Sequence, residues 1–170
     1  MTICNPTNFL IYFLKIITMK PKIIITLLVT AALSFGIRVN AKAVSANTIE
    51  NAYEQYAAID KALTSDDAAG AKEAAGRLIS ALTDTKDADA AIKAATGISQ
   101  TSDIKEQRKS FALLTVAMHN LFRNEKAGKT LYIHYCPMAK AYWMDEDKTI
   151  HNPYYGKSMP SCGRTTGMVM

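Results

Sequence analysis

Acidic residues are missing from residues 1–43, and cysteine and proline are missing from residues 44–128. The whole chain of 170 residues holds 3 Cys, 5 Pro and 1 Trp, so a densely disulfide-bonded scaffold and a proline-rich linker protein are excluded. Charged residues make up 21% against 49% apolar, a balance that excludes wholesale disorder. Signatures of catalysis are absent as well. There is no Cys-x-x-Cys pair, no Gly-x-Ser-x-Gly elbow, no phosphate loop and no His-Glu-x-x-His. The chain therefore reads as a non-enzyme.

The net charge of +5 is misleading as a clue to partners. Lys15, Lys20, Lys22, Arg38 and Lys42 all lie in the acid-free segment, which leaves 15 basic against 15 acidic residues in the remainder. Phosphate binding needs a concentrated positive field on the folded part, so a nucleic-acid partner is not expected.

That first segment reads as an address. Met19-Lys20-Pro21-Lys22 supplies a positive start, residues 23–36 an apolar run, and Ala41-Lys42-Ala43 the small residues of a cleavage site. This is the three-part pattern of a secretory signal peptide. Cleavage is expected after Ala43, with Ala41 as second choice, and Met19 as the true start. The rival reading is one long anchor over residues 9–37, but Lys15, Lys20, Lys22 and Pro21 would then sit near its middle, where charge is costly in lipid. No stable membrane insertion is expected after cleavage. An exported domain of residues 44–170 remains, with two cysteines, Cys136 and Cys162.

Residues 44–128 carry four apolar stripes at steps of three and four. They run through Ile49, Ala52, Tyr56, Ile59 and Leu63; Ala71, Ala75, Leu78 and Leu82; Ala88, Ala91, Ile92, Ala95 and Ile98; and Ile104, Phe111, Leu114, Met118 and Leu121. Ser65-Asp66-Asp67 and Ser102-Asp103 with Glu106 are start signals, and Gly128 is a stop. The expected fold is all-α, an up-and-down four-helix bundle. Residues 129–170 form a loop-rich C-terminal cap containing little β structure, with one extended segment at 130–135. Tyr132, Tyr135, Trp143, Tyr154 and Tyr155 are expected to anchor it.

Soft donors gather in this cap. Cys136-Pro137-Met138 is followed by Met159-Pro160-Ser161-Cys162. Thiolate and thioether sulfur select cuprous copper, and Pro137 and Pro160 favour the bends that would let each pair share one ion. His134 shares a strand face with Cys136 and is a possible further ligand. His151 reads as a surface loop residue and His119 as a partly exposed one. The competing reading of Cys136 and Cys162 is a structural disulfide, worth roughly 3.5 kcal/mol in the chain-entropy model. A thiol-redox role for the pair is a third and weaker reading. Met168 and Met170 are expected in a frayed tail.

The segments Arg108-Lys109-Ser110-Phe111, Tyr135-Cys136-Pro137-Met138-Ala139, Trp143, Asn152-Pro153-Tyr154-Tyr155-Gly156, Met159 and Cys162-Gly163 occur in that order. Together they resemble a small domain of unannotated function that occurs alone in Gram-negative envelopes. It also occurs at the ends of periplasmic adaptor subunits of heavy-metal efflux pumps. The resemblance covers about residues 48–165. It implies a periplasmic protein that handles a heavy metal, Cu(I) above all, through Cys136, Met138, Met159 and Cys162. The implied role is buffering or delivery, with an efflux adaptor or another envelope protein as partner. The alternative is an envelope interaction module stapled by a Cys136–Cys162 disulfide.

Overall fold

The computed structural model of the protein describes residues 46–125 and 129–170. The leader expected at residues 1–43 and the stop at Gly128 lie outside the described residues. Four helices come first: α1 (Ala46–Thr64), α2 (Ala68–Leu82), α3 (Asp89–Ser99) and α4 (Ile104–Glu125). Each packs mainly on the next in sequence. Connections this short bring each helix back along the one before it.

The helices form where the apolar stripes stand, and the stripes face inward. Ile49, Ala52, Tyr56, Ile59 and Leu63 of α1 are all buried, as are Phe111, Leu114, Met118 and Leu121 of α4. Ile92 and Ile104 are only partly buried. α2 and α3 bury mostly alanine, which lets helices approach closely but removes little apolar area from water. The largest fully buried side chains are instead Trp143, Tyr56, Phe111 and Phe122. The start signals divide their labour. Asp67 caps α2 by accepting from Gly70 N at 2.9 Å, and Asp103 accepts from Lys105 N at 2.8 Å at the start of α4. Asp66, at φ 60°, turns away from the helix and reaches Arg108.

The cap departs from expectation. It contains a three-stranded antiparallel sheet in the order β2-β1-β3, with β1 Leu131–Cys136, β2 Ala141–Asp145 and β3 Arg164–Val169. Cys136 pairs with Ala141 and Tyr132 with Asp145; Leu131 pairs with Val169 and Tyr135 with Arg164, across a bulge at Ile133/His134. Only β1 announces itself by composition. β3 is exposed along nearly its whole length, so no buried-face alternation marks it, and it is ordered by the backbone ladder that β1 offers. Met168 therefore lies in a strand and not in a frayed tail.

One hydroxyl links sheet and bundle within their shared core. Tyr56 of α1 is fully buried, stacks on Phe111 with centroids 5.2 Å apart, and shares a 2.9 Å hydrogen bond with Thr115 of α4. The backbone N–H of Met144 in β2 donates to the same oxygen at 3.1 Å. No helix among the described residues is long and apolar enough to cross a membrane. Tyr56→Phe leaves the Met144 N–H and the Thr115 hydroxyl short of a partner in the core. The expected cost is about 1–3 kcal/mol, read as a lower urea midpoint at unchanged m-value.

Candidate functional site

Two turns adjoin the cysteines and carry the methionines, and the second is held from the bundle side. The first is the turn over residues 137–140 between β1 and β2. Lys140 closes it at φ 52°, and the Ala139 N–H points back at Cys136 Sγ, 3.4 Å away. The Cys-Pro-Met bend expected from Pro137 is this turn. Met138 stands on its outer side, 62% exposed.

The second loop is organised by Asn152, which is fully buried. Its side-chain oxygen accepts from Tyr154 N at 2.8 Å and Tyr155 N at 3.3 Å, and its amide donates to the Cys162 carbonyl at 2.5 Å. Its backbone N–H donates to the Pro160 carbonyl at 2.8 Å. A single 3-10 turn, Gly156–Ser158, then leads into Met159, and Cys162 N donates to the Met159 carbonyl at 3.3 Å. The tight turn expected from Pro160 is thus present, with Met159 partly buried.

Arg108 of α4 pins this loop to the helices. Its Nε donates to the Pro153 carbonyl at 2.7 Å, and its Nη2 to the Leu63 carbonyl at 2.9 Å and to Asp66 Oδ1 at 2.6 Å. The hydrogen bond from Arg108 holds the Asp66 carboxyl below the usual range. Gly156 sits against this pair at φ 53°, and any side chain there would overlap the Asp66 carboxylate and the guanidinium. Gly163 is required for a similar reason. A Cβ there would come within 2.7 Å of Trp143 Cη2 and 3.2 Å of the Tyr135 carbonyl.

The result is that Cys136 Sγ and Cys162 Sγ stand 3.8 Å apart, both as free thiols. Cys136 is buried and Cys162 half-buried. Desolvation, together with the neighbouring Cys136 sulfur, pushes the Cys162 thiol up from its ordinary value. Cys136, Cys162 and the turns that carry Met138 and Met159 are therefore brought to one end of the sheet.

His134 is placed differently. It is fully buried in β1, beside Trp143 with centroids 5.1 Å apart. Nε2 lies 3.1 Å from the Asp147 carbonyl and Nδ1 3.1 Å from Thr165 Oγ1. A carbonyl only accepts, so Nε2 carries the proton and Nδ1 accepts from the threonine. Both ring nitrogens are thus engaged in tying β1 to its neighbours. Among the described residues, no three His, Cys, Asp or Glu side chains converge as a metal-ligating group. His151 is exposed and His119 half-buried.

Sequence reasoning did not single out Asn152 or Arg108 as organisers of the site. Asn152 read only as a turn former, and Arg108 only as part of a motif. Their roles depend on partners 10 and 45 residues away.

Comparison with known proteins is consistent with the resemblance at its coarsest level. The sequence model of an uncharacterised family, protein of unknown function (DUF3347), matches residues 52–130. The chain is similar to that family across the helices, and the matched stretch ends ahead of both cysteines. No curated protein and no solved structure matches the chain.

Two outcomes follow for the site. Asn152→Ala removes three side-chain hydrogen bonds from a buried position, so a loss of about 2–4 kcal/mol is expected, with faster alkylation of Cys162 in the folded protein. Burial lowers the His134 pKa, so the unfolded chain binds the extra proton more readily than the folded one. Stability should therefore fall as pH drops below about 6.5 and level off once the folded-state value is passed. His134→Asn should flatten that part of a pH series of urea midpoints.

Proposed function

We propose that this protein is an exported, non-enzymatic binder of cuprous copper that buffers the ion in the periplasm or hands it to an efflux system. The observation that carries the reading is the 3.8 Å spacing of the two thiols. Metal–sulfur bonds of about 2.3 Å, the length in zinc thiolates, put two sulfurs of a tetrahedral centre roughly 3.8 Å apart. The spacing thus fits one shared ion with no movement of the backbone. Soft thiolates with thioethers on the adjoining turns are a donor set for Cu(I). Met138 and Met159 complete the set in this reading. Met138 is exposed, which suits an ion that is passed on, because a mobile thioether can be exchanged for a partner's ligand. Ligation by His134 would require both of its hydrogen bonds to break, so its part in this reading is to brace the strand that ends in Cys136. The resemblance to domains at the ends of heavy-metal efflux adaptors supports the choice of partner.

The same spacing supports a second reading, a Cys136–Cys162 disulfide that staples the second loop to β1 in an envelope interaction module. A competition titration of the reduced protein with Cu(I) against a chromogenic chelator, with thiols counted before and after, separates the two. One tightly bound ion is expected, lost on oxidation. Each of four ligands shares a binding free energy of about 10–16 kcal/mol, so Cys136→Ser or Cys162→Ser should weaken binding by about 100-fold or more. The sign of the pH dependence follows from the need for thiolates, and the raised Cys162 thiol extends it to higher pH. Protons must leave for the metal to bind, so affinity should rise with pH, by up to about tenfold per unit for each thiol ionised. Unchanged affinity in both serine variants would refute the copper reading. A pair that resists reduction and binds no ion would establish the staple.

A further inference from the structure

A cavity of about 350 Å³ opens between α1, the end of β2 and the loop at His151. It lies apart from the thiols, and two carboxyls line it, with Lys61, Ser65 and His151 also on its wall. Asp60 follows Tyr56 by four residues and so stands on the inward face of α1, only 6% exposed. Its Oδ1 has no hydrogen-bond partner, and neither has the buried Thr64 Oγ1 one turn further along. Both residues line the cavity, together with Asp145 of β2. Asp145 Oδ1 accepts from Asp147 N at 3.1 Å. Among the described residues, neither Asp60 nor Asp145 has an ion-pair partner. Ala57 and Met144 supply an apolar wall.

A buried carboxyl with an empty acceptor, a second carboxylate beside it and a free hydroxyl one turn away is costly unless something supplies protons and positive charge. We propose that this cavity binds a primary ammonium group, whose N–H groups donate to Asp60 Oδ1 and Thr64 Oγ1 while Asp145 adds counter-charge and Ala57 and Met144 cover the adjoining carbon. A directly coordinated metal ion does not fit, since no three ligating side chains converge here. A quaternary ammonium does not fit either, because it has no N–H to give the two orphaned acceptors. The inference stands independently of the copper reading.

Binding is linked to a proton. Burial, and then the Asp145 charge, push the Asp60 carboxyl well above its ordinary value, which favours the protonated form while the cavity holds no cation. Binding then converts the carboxylic acid and the ammonium into a carboxylate–ammonium pair and releases one H⁺ to solvent. Affinity rises with pH accordingly. The other titratable groups facing Asp60 are Asp145 and His151 across the cavity and Lys61 on its rim. The Tyr53, Tyr56 and Tyr154 phenols behind it are neutral, each pushed upward mainly by burial.

The test is a titration of the protein with methylammonium and butylammonium chloride, followed by amide ¹H–¹⁵N spectra, with tetramethylammonium as control. Saturable shifts are expected at residues 57–65 and 144–151, stronger at higher pH and absent with tetramethylammonium. Asp60→Asn should weaken binding by about tenfold or more, the worth of one charge-assisted hydrogen bond, and Thr64→Val by less. Should Asp60→Asn not fold, Asp145→Asn near the rim carries the comparison, with a loss of several-fold expected. Nα-acetyl-lysine amide distinguishes sources. Binding equal to butylammonium assigns a lysine side chain of a partner, and binding of the free amines alone assigns a small amine. Shifts that do not saturate, that saturate with unchanged affinity in Asp60→Asn or Asp145→Asn, or that tetramethylammonium reproduces would overturn the proposal.

Discussion

The candidate site depends on how one loop, anchored at its buried Asn152, is tied down. Asn152 closes the loop on itself by binding Tyr154, Tyr155 and the carbonyl of Cys162. Arg108 then fastens it to the end of α1 and the body of α4. A guanidinium is suited to this because its fork serves several acceptors at once in fixed directions. Three of those acceptors come from segments that are remote in sequence, and a lysine offers no such planar set. With the loop held, the carbonyl of Cys162 is held, and the thiol stands beside the end of β1. The distance between the two sulfurs is thus set by the bonds that hold the two segments of chain, the Cys162 carbonyl among them.

The small sheet explains why a helical bundle of modest core can carry such a site. Alanine-rich helices pack closely but gain little from burial, and large aromatic side chains make up the difference. Several of these, Trp143 and Tyr154 among them, come from the cap, and the Tyr154 hydroxyl bonds to the Tyr142 carbonyl. The cap therefore completes the core as well as presenting the sulfurs. Tyr56 marks the seam, where one oxygen serves α1, α4 and β2. His134 works within the cap itself. Its neutral ring, bonded on both sides, braces β1 two residues before Cys136.

Two kinds of unsatisfied chemistry coexist in the domain. The thiol pair is soft, half-open and free of disulfide. The Asp60 cavity is hard, with two buried oxygens that lack a partner. They sit on different parts of the cap seam and call for different ligands. Asp60 was not singled out in the sequence, although it stands four residues after Tyr56 on the inward face of its helix. What it faces was not readable, because Asp145 and His151 lie more than 80 residues further along the chain.

Local pattern determined the helices. Period 3.6 in apolar residues located α1 to α4, and Asp67 and Asp103 marked two of their starts, because helix formation and capping involve partners within four residues. The clustering of cysteine and methionine near Pro137 and Pro160 was legible for the same reason. Tertiary structure alone decided the rest. β3 has no face of its own to bury and exists because β1 offers a ladder, so its composition could not announce it. The 3.8 Å approach of Cys136 and Cys162, the engagement of both nitrogens of His134, and the meeting of Asp60 with Asp145 each join residues from separate elements. Such pairs are fixed by how the elements pack, which no local run of residues encodes.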